Sequence, residues 1–489
     1  MTQLMAFAAM AATLLAGCML GPDYQRPTLP LPAQHRDAEP PAPGREAFSL
    51  ADLQWFELFR DDSLQALVRT ALQQNYDVRI AVARILEAQA QLGITRSFLF
   101  PQLDGNGAIA RDRLSEERFL TPPPGQNEGN TLLLGLSLFY EIDLWGRLRR
   151  ETEAARAELL STEWAQRAVL VALVADVARA YFELREFDLD LGIAKRTFAS
   201  REKSLRLTRA RQEQGVATRL DIRQAEQLLY TAAARIPDLE RLIAQKENEI
   251  RLLLALPPGE IRRGLPLTEQ AFPPEVPAGL PAALLERRPD IRQAEEVLVA
   301  ANAQIGAAKA LYFPTFSLTG FLGLESDDLK DFASASARTW TIGLGLLQPI
   351  FNAGRIRSIN EAAAARQLQT LAQYEQVIQT AFREVSDALV GYRKTREQRA
   401  QQELLVAALV DSAALANTRF LGGLDSYLQV LDAERQLFDA ELELARVRAS
   451  ELLNLVQLYK ALGGGWTPDQ PTAAAAAETA SVASTASQR

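Results

Sequence analysis

The chain has 489 residues, of which 48% are hydrophobic, and a formal net charge of −8 at pH 7. Its single histidine and single cysteine argue against His/Cys metal clusters and against Cys–His or Ser–His nucleophilic arrangements. With only four methionines, a dedicated copper or silver conduit is also disfavoured, and the acidic balance disfavours nucleic-acid binding. We therefore expect a protein that is not an enzyme and that has no metal site and no cofactor.

The amino terminus has the pattern of a secretory signal. Residues 1–17 are rich in Ala, Leu and Met, and this apolar run is too short to cross a membrane. The run ends in a sequence that resembles a bacterial lipoprotein box, Leu15-Ala16-Gly17-Cys18. We predict a signal peptide at 1–17 and lipidation of Cys18. The residue after Cys18 is Met19 and not aspartate, which by the resemblance to bacterial lipoproteins favours sorting to the outer membrane. No Lys or Arg precedes Cys18, so we expect the true start of the chain upstream.

A proline-rich strap and a low-complexity tail flank the folded part. Seven prolines lie between Gly21 and Gly44 and exclude the interiors of helices and sheets. We predict a lipidated strap over 18–60 that is extended between Gly21 and Gly44. Residues 467–489 contain Ala, Thr, Ser and Gln with almost no large apolar residue, which predicts a disordered tail.

Four segments alternate apolar residues with small or polar ones. The clearest is 131–143, where Leu132, Leu134 and Leu136 would share one face of a strand. We predict strands at about 102–112, 131–143, 315–325 and 338–350. A soluble sandwich would also alternate, but strands of about ten residues with an apolar face fit a membrane β-barrel. No other segment is apolar for long enough to form a membrane helix.

The number of strands bears on the oligomeric state. A membrane barrel must be closed, which takes at least about eight strands, so one chain with four strands cannot span the membrane alone. An eight-stranded barrel is filled by its own side chains, whereas a conduit needs a wider one. Three copies would give twelve strands, and we therefore expect a trimer.

Two long segments predict helices of unusual length. Between 147 and 214 there is no proline and one glycine. Apolar residues recur there every seven positions, at Leu170, Val177, Leu184, Leu191, Phe198 and Leu205. This repeat is typical of helices in a left-handed supercoil, and about 1.5 Å per residue gives a rod of roughly 100 Å. The second copy, 355–422, keeps the phase except at Arg399. The apolar stripe of an ordinary core helix would also repeat. The length of these two segments, however, favours a rod that crosses the periplasm.

Each long helix ends in a predicted hairpin. It is followed by a glycine that can adopt the left-handed cap conformation, at Gly215 and Gly423. Thr218 and Ser426 are then placed as N-caps of the return helices. The spacing of Ser426 and Gln429 is that of a full capping box, and Thr218 with Asp221 forms a weaker version.

The two halves of the chain are copies of each other. At an offset of 213 residues Asp77 matches Asp290, and at an offset of 208 Gly146 matches Gly354. The offset falls by five because the first copy is longer between its strand anchors, as expected for a loop. We predict repeat 1 at 61–257, a connector at 258–281 and repeat 2 at 282–466.

The chain resembles the outer-membrane factors of tripartite efflux pumps, the TolC superfamily, and specifically its OprM/NodT-like lipoprotein branch. The resemblance covers nearly the whole chain. It rests on the lipoprotein box and on the segments 21–27 (GPDYQRP), 175–182 (ADVARAYF), 287–291 (RRPDI) and 461–466 (ALGGGW).

The resemblance implies an α+β membrane protein in which four β-strands per chain contribute to a trimeric twelve-stranded transmembrane β-barrel, continuous with a long coiled-coil α-helical barrel. It also implies a non-enzymatic homotrimer in the outer membrane that extends into the periplasm. A periplasmic adaptor and an inner-membrane pump of the RND type would deliver drugs or other small toxic compounds. The alternatives are the outer-membrane conduit of a type I protein secretion system and a structural lipoprotein that tethers the envelope.

The resemblance also implies two sites near the helical hairpins. The tips would dock the adaptor through two sets of residues, Gly215, Val216, Ala217, Thr218, Leu220 and Asp221 and Gly423, Leu424, Asp425 and Ser426. The periplasmic gate would lie in 427–435, where Leu428 and Asp432 are four residues apart on one helix face. In a trimer they would form a leucine ring on an aspartate ring, with Arg435 as the cation partner of the aspartate. The alternative is that Leu428 is a core contact and Asp432–Arg435 an ordinary exposed pair.

Overall fold

A computed structural model describes residues 19–30, 32, 50–115, 117, 127–270 and 281–464. The strands are β1 (Gln102–Arg113), β2 (Glu128–Ile142), β3 (Thr315–Ser326) and β4 (Arg338–Leu347). The α-helices of this described part are α1 (Trp55–Leu58), α2 (Asp62–Gln74), α3 (Tyr76–Ser97), α4 (Arg147–Glu213), α5 (Arg219–Leu253), α6 (Pro281–Arg287), α7 (Pro289–Ala310), α8 (Arg355–Leu421) and α9 (Tyr427–Ala461). Cys18 and the tail 467–489 lie outside the described residues.

The chain divides into two compact units. The first contains the described parts of Met1–Thr28, Arg84–Thr162 and Gln293–Glu375, and with them all four strands. The second contains the described parts of Leu29–Ala83, Glu163–Arg292 and Gln376–Arg489.

The four strands form one antiparallel sheet in the order β1-β2-β3-β4. Because β2 comes from repeat 1 and β3 from repeat 2, the pairing of these two strands joins the hairpins of both repeats. Gly135 faces Gly323 in this pair, and a Cβ on Gly135 would lie 2.8 Å from the Cα of Gly323. Glycine is therefore required where the two repeats meet. Strand β4 ends three residues before the predicted boundary, since Pro349 has no N–H to continue the ladder.

The second unit is held together by residues of the predicted seven-residue repeat. Val177 and Leu184 of α4 are fully buried, as are Ile378 and Val385 of α8. The break in the repeat at Arg399 has a structural reason, because its guanidinium lies 2.6 Å from the carboxylate of Glu451 on α9, whose side chain is 1% exposed. A charge pair thus replaces an apolar contact at one core position.

A buried aspartate fixes the start of α2 to the connector that follows α5. Asp61 accepts hydrogen bonds from Tyr181 Oη at 2.8 Å and from the backbone N–H of Leu265 and the side chain of Gln270, both at 2.9 Å. Burial alone would raise the pKa of Asp61, but these hydrogen bonds outweigh burial and lower it. The carboxylate therefore stays ionised in the core of this unit.

One expectation from the sequence is wrong. Within the described residues, α8 contains an apolar stretch that is long enough to cross a membrane by length and composition, and none of that stretch is buried. The reason is local composition: Leu404, Leu405 and Val410 add exposed apolar residues between the positions of the repeat. Such a helix is weak support for a membrane span, because α8 continues for 67 residues in all.

Candidate functional site

One face of the sheet is apolar and exposed. Leu136, Leu322 and Trp340 are in register across three neighbouring strands and are 49%, 65% and 71% exposed. Ile342 and Leu344 extend this surface along β4 at 68% and 70%. A soluble monomer rarely exposes so large an apolar patch, which is the composition expected of a surface in contact with lipid.

The opposite face of the sheet carries mainly small and polar side chains, with Phe139 and Phe321 as exceptions. Ser137, Thr319, Gly343 and Gly345 occupy the positions that alternate with the apolar ones. Asn106 donates a hydrogen bond to Ser137 Oγ at 2.6 Å along this face. Its small side chains leave room for water, as in the interior of a membrane barrel.

The first hairpin tip lies between α4 and α5. Gly215 has φ +73°, and the N–H of the exposed Val216 donates to Arg211 O at 2.9 Å, which caps the end of α4. Thr218 and Asp221 form a complete capping box, in which the Asp221 carboxylate accepts from the Thr218 N–H at 2.7 Å. Ala217 lies within this turn. Leu220, the second residue of α5, has 64% of its surface exposed.

The second tip lies between α8 and α9 and is capped differently. Gly423 has φ +72°, and Leu424, at 71% exposure, donates its N–H to Arg419 O at 2.9 Å. Asp425 accepts from Arg419 Nε at 2.5 Å. Ser426 makes no side-chain cap bond, so the prediction of a full capping box here and a weaker one at the first tip is wrong.

The complete capping box lies at the first tip and not, as predicted, at the second, and this difference has a chemical reason. A charged carboxylate, as at the first tip, binds backbone N–H groups more strongly than the neutral amide of Gln429 does. At the second tip the turn is instead held by the ion pair between Asp425 and Arg419.

The proposed gate residues share an exposed face of α9. Leu428 is 54% exposed, whereas its neighbours Tyr427 and Val430 are buried. Leu428 is therefore not a core contact of its own chain. Asp432 accepts from Arg435 Nη2 at 2.8 Å, an ion pair within the same helix three residues apart. The pairing of Arg435 with Asp432 is thus present in one chain, and the gate itself stays a prediction.

Behind this face lies a buried arginine that sequence reasoning missed. Arg201 of α4 is 2% exposed and donates to Leu228 O at 2.7 Å and to the backbone oxygen of Glu434 at 3.3 Å. Its guanidinium lies 4.9 Å from the ring centre of Phe438. Burial lowers the pKa of Arg201 and raises that of the Glu434 carboxyl. In the sequence Arg201 is one of many arginines on α4, so no signal distinguished it.

A buried acid, Asp190, and a half-buried acid, Glu186, on α4 were missed as well. Asp190 is 6% exposed and its Oδ1 has no hydrogen-bond partner among the described residues. Burial raises the pKa of Asp190 to about 6. Burial, followed by the charges of Asp190 and Glu183, raises the pKa of Glu186 to about 7. Their spacing was the signal that the sequence offered, because Glu186 and Asp190 are four residues apart and lie among the core leucines of α4.

Comparison with known proteins connects these features. The chain matches the family described as "Outer membrane efflux protein" twice, over residues 67–256 and 280–464, which confirms the duplication. It is 39% identical to the probable efflux pump outer membrane protein TtgC of Pseudomonas putida over 468 residues, covering 95% of this chain and 96% of that protein. It is 35% identical to the cation efflux system protein CusC of Escherichia coli, covering 93% and 97% of the two chains.

Solved structures give the same answer. The outer-membrane channel OprN superposes with a TM-score of 0.84 at 31% identity, covering 92% of this chain and all of that one. The predicted fold class, a duplicated α+β membrane protein of the trimeric outer-membrane-channel type, is confirmed, as is its function as the outer-membrane channel of a tripartite efflux system. The chain belongs to the outer membrane efflux protein family.

Proposed function

We propose that three copies of this chain form a conduit across the outer membrane and periplasm, which receives small toxic compounds from a periplasmic adaptor and an inner-membrane pump of the RND type. The observation that carries the proposal is the sheet, which exposes an apolar face and in which no other strand of the described residues pairs with the outer edges of β1 and β4. Lipid cannot hydrogen-bond a free strand edge. Pairing β4 of one copy with β1 of the next would remove every edge.

The transported compounds belong to the proposal too. Relatives are named for the efflux of toluene, antibiotics and cations. We favour small organic compounds over copper or silver ions, because one histidine and four methionines offer few soft ligands. In this proposal the chain performs no catalytic step and uses no cofactor, and Cys18 carries the lipid that anchors the amino terminus in the outer membrane.

The hairpin tips support an interaction with the adaptor. Val216, Leu220 and Leu424 are each at least 64% exposed, although they lie at tight turns where polar residues are usual. Apolar side chains in such positions favour docking to another protein. The gate proposed at Leu428 and Asp432 lies within the first two turns of α9, next to these tips.

The proposal is tested by two measurements on the purified full chain and one on cells. Purified protein in planar bilayers should give discrete conductance steps, and its native mass should be that of three chains. A strain that lacks the gene should become sensitive to antibiotics or solvents and regain resistance with the gene. Absent conductance would favour the structural tether, and normal resistance with loss of a secreted protein would favour the type I secretion conduit.

A further inference from the structure

The charged side chains of the sheet are divided between its two faces. The three arginines of the four described strands, Arg111, Arg113 and Arg338, all occupy register positions of the apolar face. The acids of these strands, except Glu128, occupy the alternate positions and lie on the opposite face, namely Asp104, Asp112, Glu141 and Glu325. The apolar face of the strands therefore carries a net charge of +2 per chain (3 − 1), whereas the whole chain carries −8.

The arginines of the apolar face all lie at the end of the sheet that is farther from the helices. Arg113 is the last residue of β1, Arg111 precedes it by two residues, and Arg338 is the first residue of β4. At the end that leads to the helices, the same face of the strands is uncharged and carries Tyr140 and Phe316. In the proposed conduit the helices extend into the periplasm, so the arginines lie at the boundary of the outer leaflet.

The guanidinium groups of these arginines are available to an anionic ligand. All three side chains are exposed. Arg111 uses one of its five N–H donors, in a hydrogen bond to Glu128 Oε2 at 3.1 Å. Arg338 makes no ion pair or side-chain hydrogen bond with another described residue. Clusters of basic side chains at a membrane boundary recognise anionic lipid head groups, and the planar guanidinium suits phosphate in particular.

A notch of about 520 Å³ adjoins Arg111 on the apolar face. Its apolar lining comes from Ile109 and Leu132, which are register partners, and from Leu329 in the connection from β3 to β4. Ile109 and Leu329 are largely exposed, so the described residues leave this apolar surface uncovered. Hydrocarbon chains would cover it, with the guanidinium of Arg111 at the level of their head group.

The polar lining of the notch indicates the kind of head group. Asp327 and Asp328 line it together with Arg111 and Asn130, and Asn130 donates to the backbone oxygen of Asp327 at 3.4 Å. Asp328 also forms an ion pair with Lys330 at 2.9 Å. Carboxylates repel phosphate but accept hydrogen bonds from sugar hydroxyls, whereas guanidinium groups bind phosphate. A notch with both groups therefore favours a phosphorylated sugar over a simple phosphodiester.

The proposed trimer would bring the three arginines together. Within one chain β1 and β4 are the outer strands, so the width of the sheet separates Arg338 from Arg111 and Arg113. Pairing of β4 of one copy with β1 of the next would place the strand of Arg338 about 5 Å from the strand of the other two. Each of the three junctions would then carry three arginines at the same end of the apolar face.

We propose that the arginine row at each junction, Arg111, Arg113 and Arg338, binds a phosphorylated glycolipid of the outer leaflet together with the notch beside it. The phosphates lie at the guanidinium groups, the sugar hydroxyls at Asp327 and Asp328, and the acyl chains along the apolar face. The proposal rests on the proposed function, because it requires the sheet to be part of a barrel in the outer membrane. Since the arginines come from two copies, the bound glycolipid bridges them and stabilises the trimer.

Binding is tested on the purified full-chain trimer in detergent, by native mass spectrometry during titration with lipid A, a bisphosphorylated disaccharide lipid. Arg111→Gln with Arg338→Gln should weaken the binding of lipid A at least about tenfold, because two of the three guanidinium groups at each junction are lost. Arg206→Gln is the matched control, since Arg206 is an exposed arginine of α4 that also pairs with one acid. The control should bind lipid A as the wild-type protein does.

A second lipid tests the recognition of the sugar. Phosphatidylglycerol carries one phosphodiester and no sugar, and the wild-type trimer should bind it at least about tenfold more weakly than lipid A. Equal affinity for the two lipids would overturn the proposal, because attraction of charge alone would then explain binding. Equal affinity of the wild-type protein and the double variant for lipid A would overturn it as well.

Crosslinking in cells locates the site and separates it from the conduit. Benzoylphenylalanine in place of Leu329 should crosslink to lipopolysaccharide, whereas in place of Leu103, at the other end of the apolar face, it should not. Crosslinking that is equally strong at both positions, or that is absent at Leu329, would overturn the site. A wild-type protein without channel conductance would refute the proposed conduit, while the affinity of the purified protein for lipid A would still report the site.

Discussion

At the level of single side chains, this chain differs from a simple coiled coil because some of its charged residues are buried. Asp190 is buried between Leu189 and Leu191, which pack against a cluster that includes Leu239, Phe438 and Ala445, and an ionised carboxylate is costly in such surroundings. Arg235 of α5 attracts Asp190 across the packing and opposes the effect of burial, without cancelling it. Glu186, one turn away, faces Glu443 and Arg446 of α9, as well as Glu183.

These acids predict that stability depends on pH in an unusual direction. A carboxyl group whose pKa is raised by folding destabilises the folded state when ionised, so stability should rise as the pH falls from 8 through about 7 and 6. Asp190→Asn should therefore stabilise the protein by roughly 1–3 kcal/mol at pH 8 and have little effect near pH 4. Thermal unfolding at the two pH values measures this difference.

The matched control for Asp190 is the exposed acid Asp411 on α8. Asp411→Asn should leave the unfolding temperature unchanged at both pH values. Equal unfolding temperatures for Asp190→Asn and the wild-type protein at pH 8 would mean that the carboxylate is solvated or paired in the assembled trimer.

The gate hypothesis belongs to the residue scale as well. Leu428→Ala with Asp432→Ala removes the bulk of one ring and the charge of the other, and should raise single-channel conductance by at least about twofold. Cells should also become sensitive to vancomycin-sized antibiotics, while the amount of trimer stays normal. The neighbouring exposed Gln429→Ala serves as the control. Wild-type conductance and antibiotic uptake in the double variant would place the gate elsewhere.

At the scale of elements, the docking proposal depends on the ends of the long helices. The two hairpin tips share a glycine with φ near +73° and an exposed apolar residue directly after it, but they use different polar contacts. The tips are thus similar in backbone geometry and different in charge. An adaptor that touches both would meet two distinct surfaces on each copy.

Replacing the tip glycines tests this role. A Cβ at Gly215 or Gly423 would meet no atom within 4 Å, so the cost of Gly215→Val with Gly423→Val comes from the left-handed backbone conformation alone. That cost is about 1 kcal/mol or more at each site. We expect lost drug resistance at normal trimer levels in the outer membrane.

Asparagine gives the corresponding control, because it tolerates the left-handed conformation. Gly215→Asn with Gly423→Asn should keep resistance close to wild type. Full resistance in the valine variant, in a strain whose efflux still depends on this protein, would exclude a docking role for the tips.

The helices and strands could be predicted from the sequence because their apolar residues repeat at short intervals. Alternation with a period of two located four strands, and the seven-residue repeat located α4 and α8, since each pattern reflects which face of one element is buried. The missed features depend on two elements at once. Whether Ser426 caps a helix depends on its competing partners, and whether Arg399 disrupts a core depends on Glu451, which is 52 residues away (451 − 399).

At the scale of the whole molecule, the duplication determines how the sheet is assembled. Each repeat supplies one hairpin, and the pairing of β2 with β3 makes a single sheet whose two outer edges are free in the part of the chain that the structure describes. A sheet with an exposed apolar face and free edges is unstable in water and in lipid alike until the edges are paired. This is the physical reason why one chain is insufficient for the function of the family.

The sequence by itself determined the duplication, the strands, the long helices, the hairpin tips and the family, because each of these follows from the order of residues along the chain. Only the tertiary structure decided which charges are buried. It showed Arg150 and Glu295 turned towards the amino-terminal segment, Arg201 beneath the second tip, and Asp190 without a partner for Oδ1 among the described residues. A charged residue looks the same in a sequence whether it faces water or a neighbouring helix, and its free energy depends on which of the two it meets.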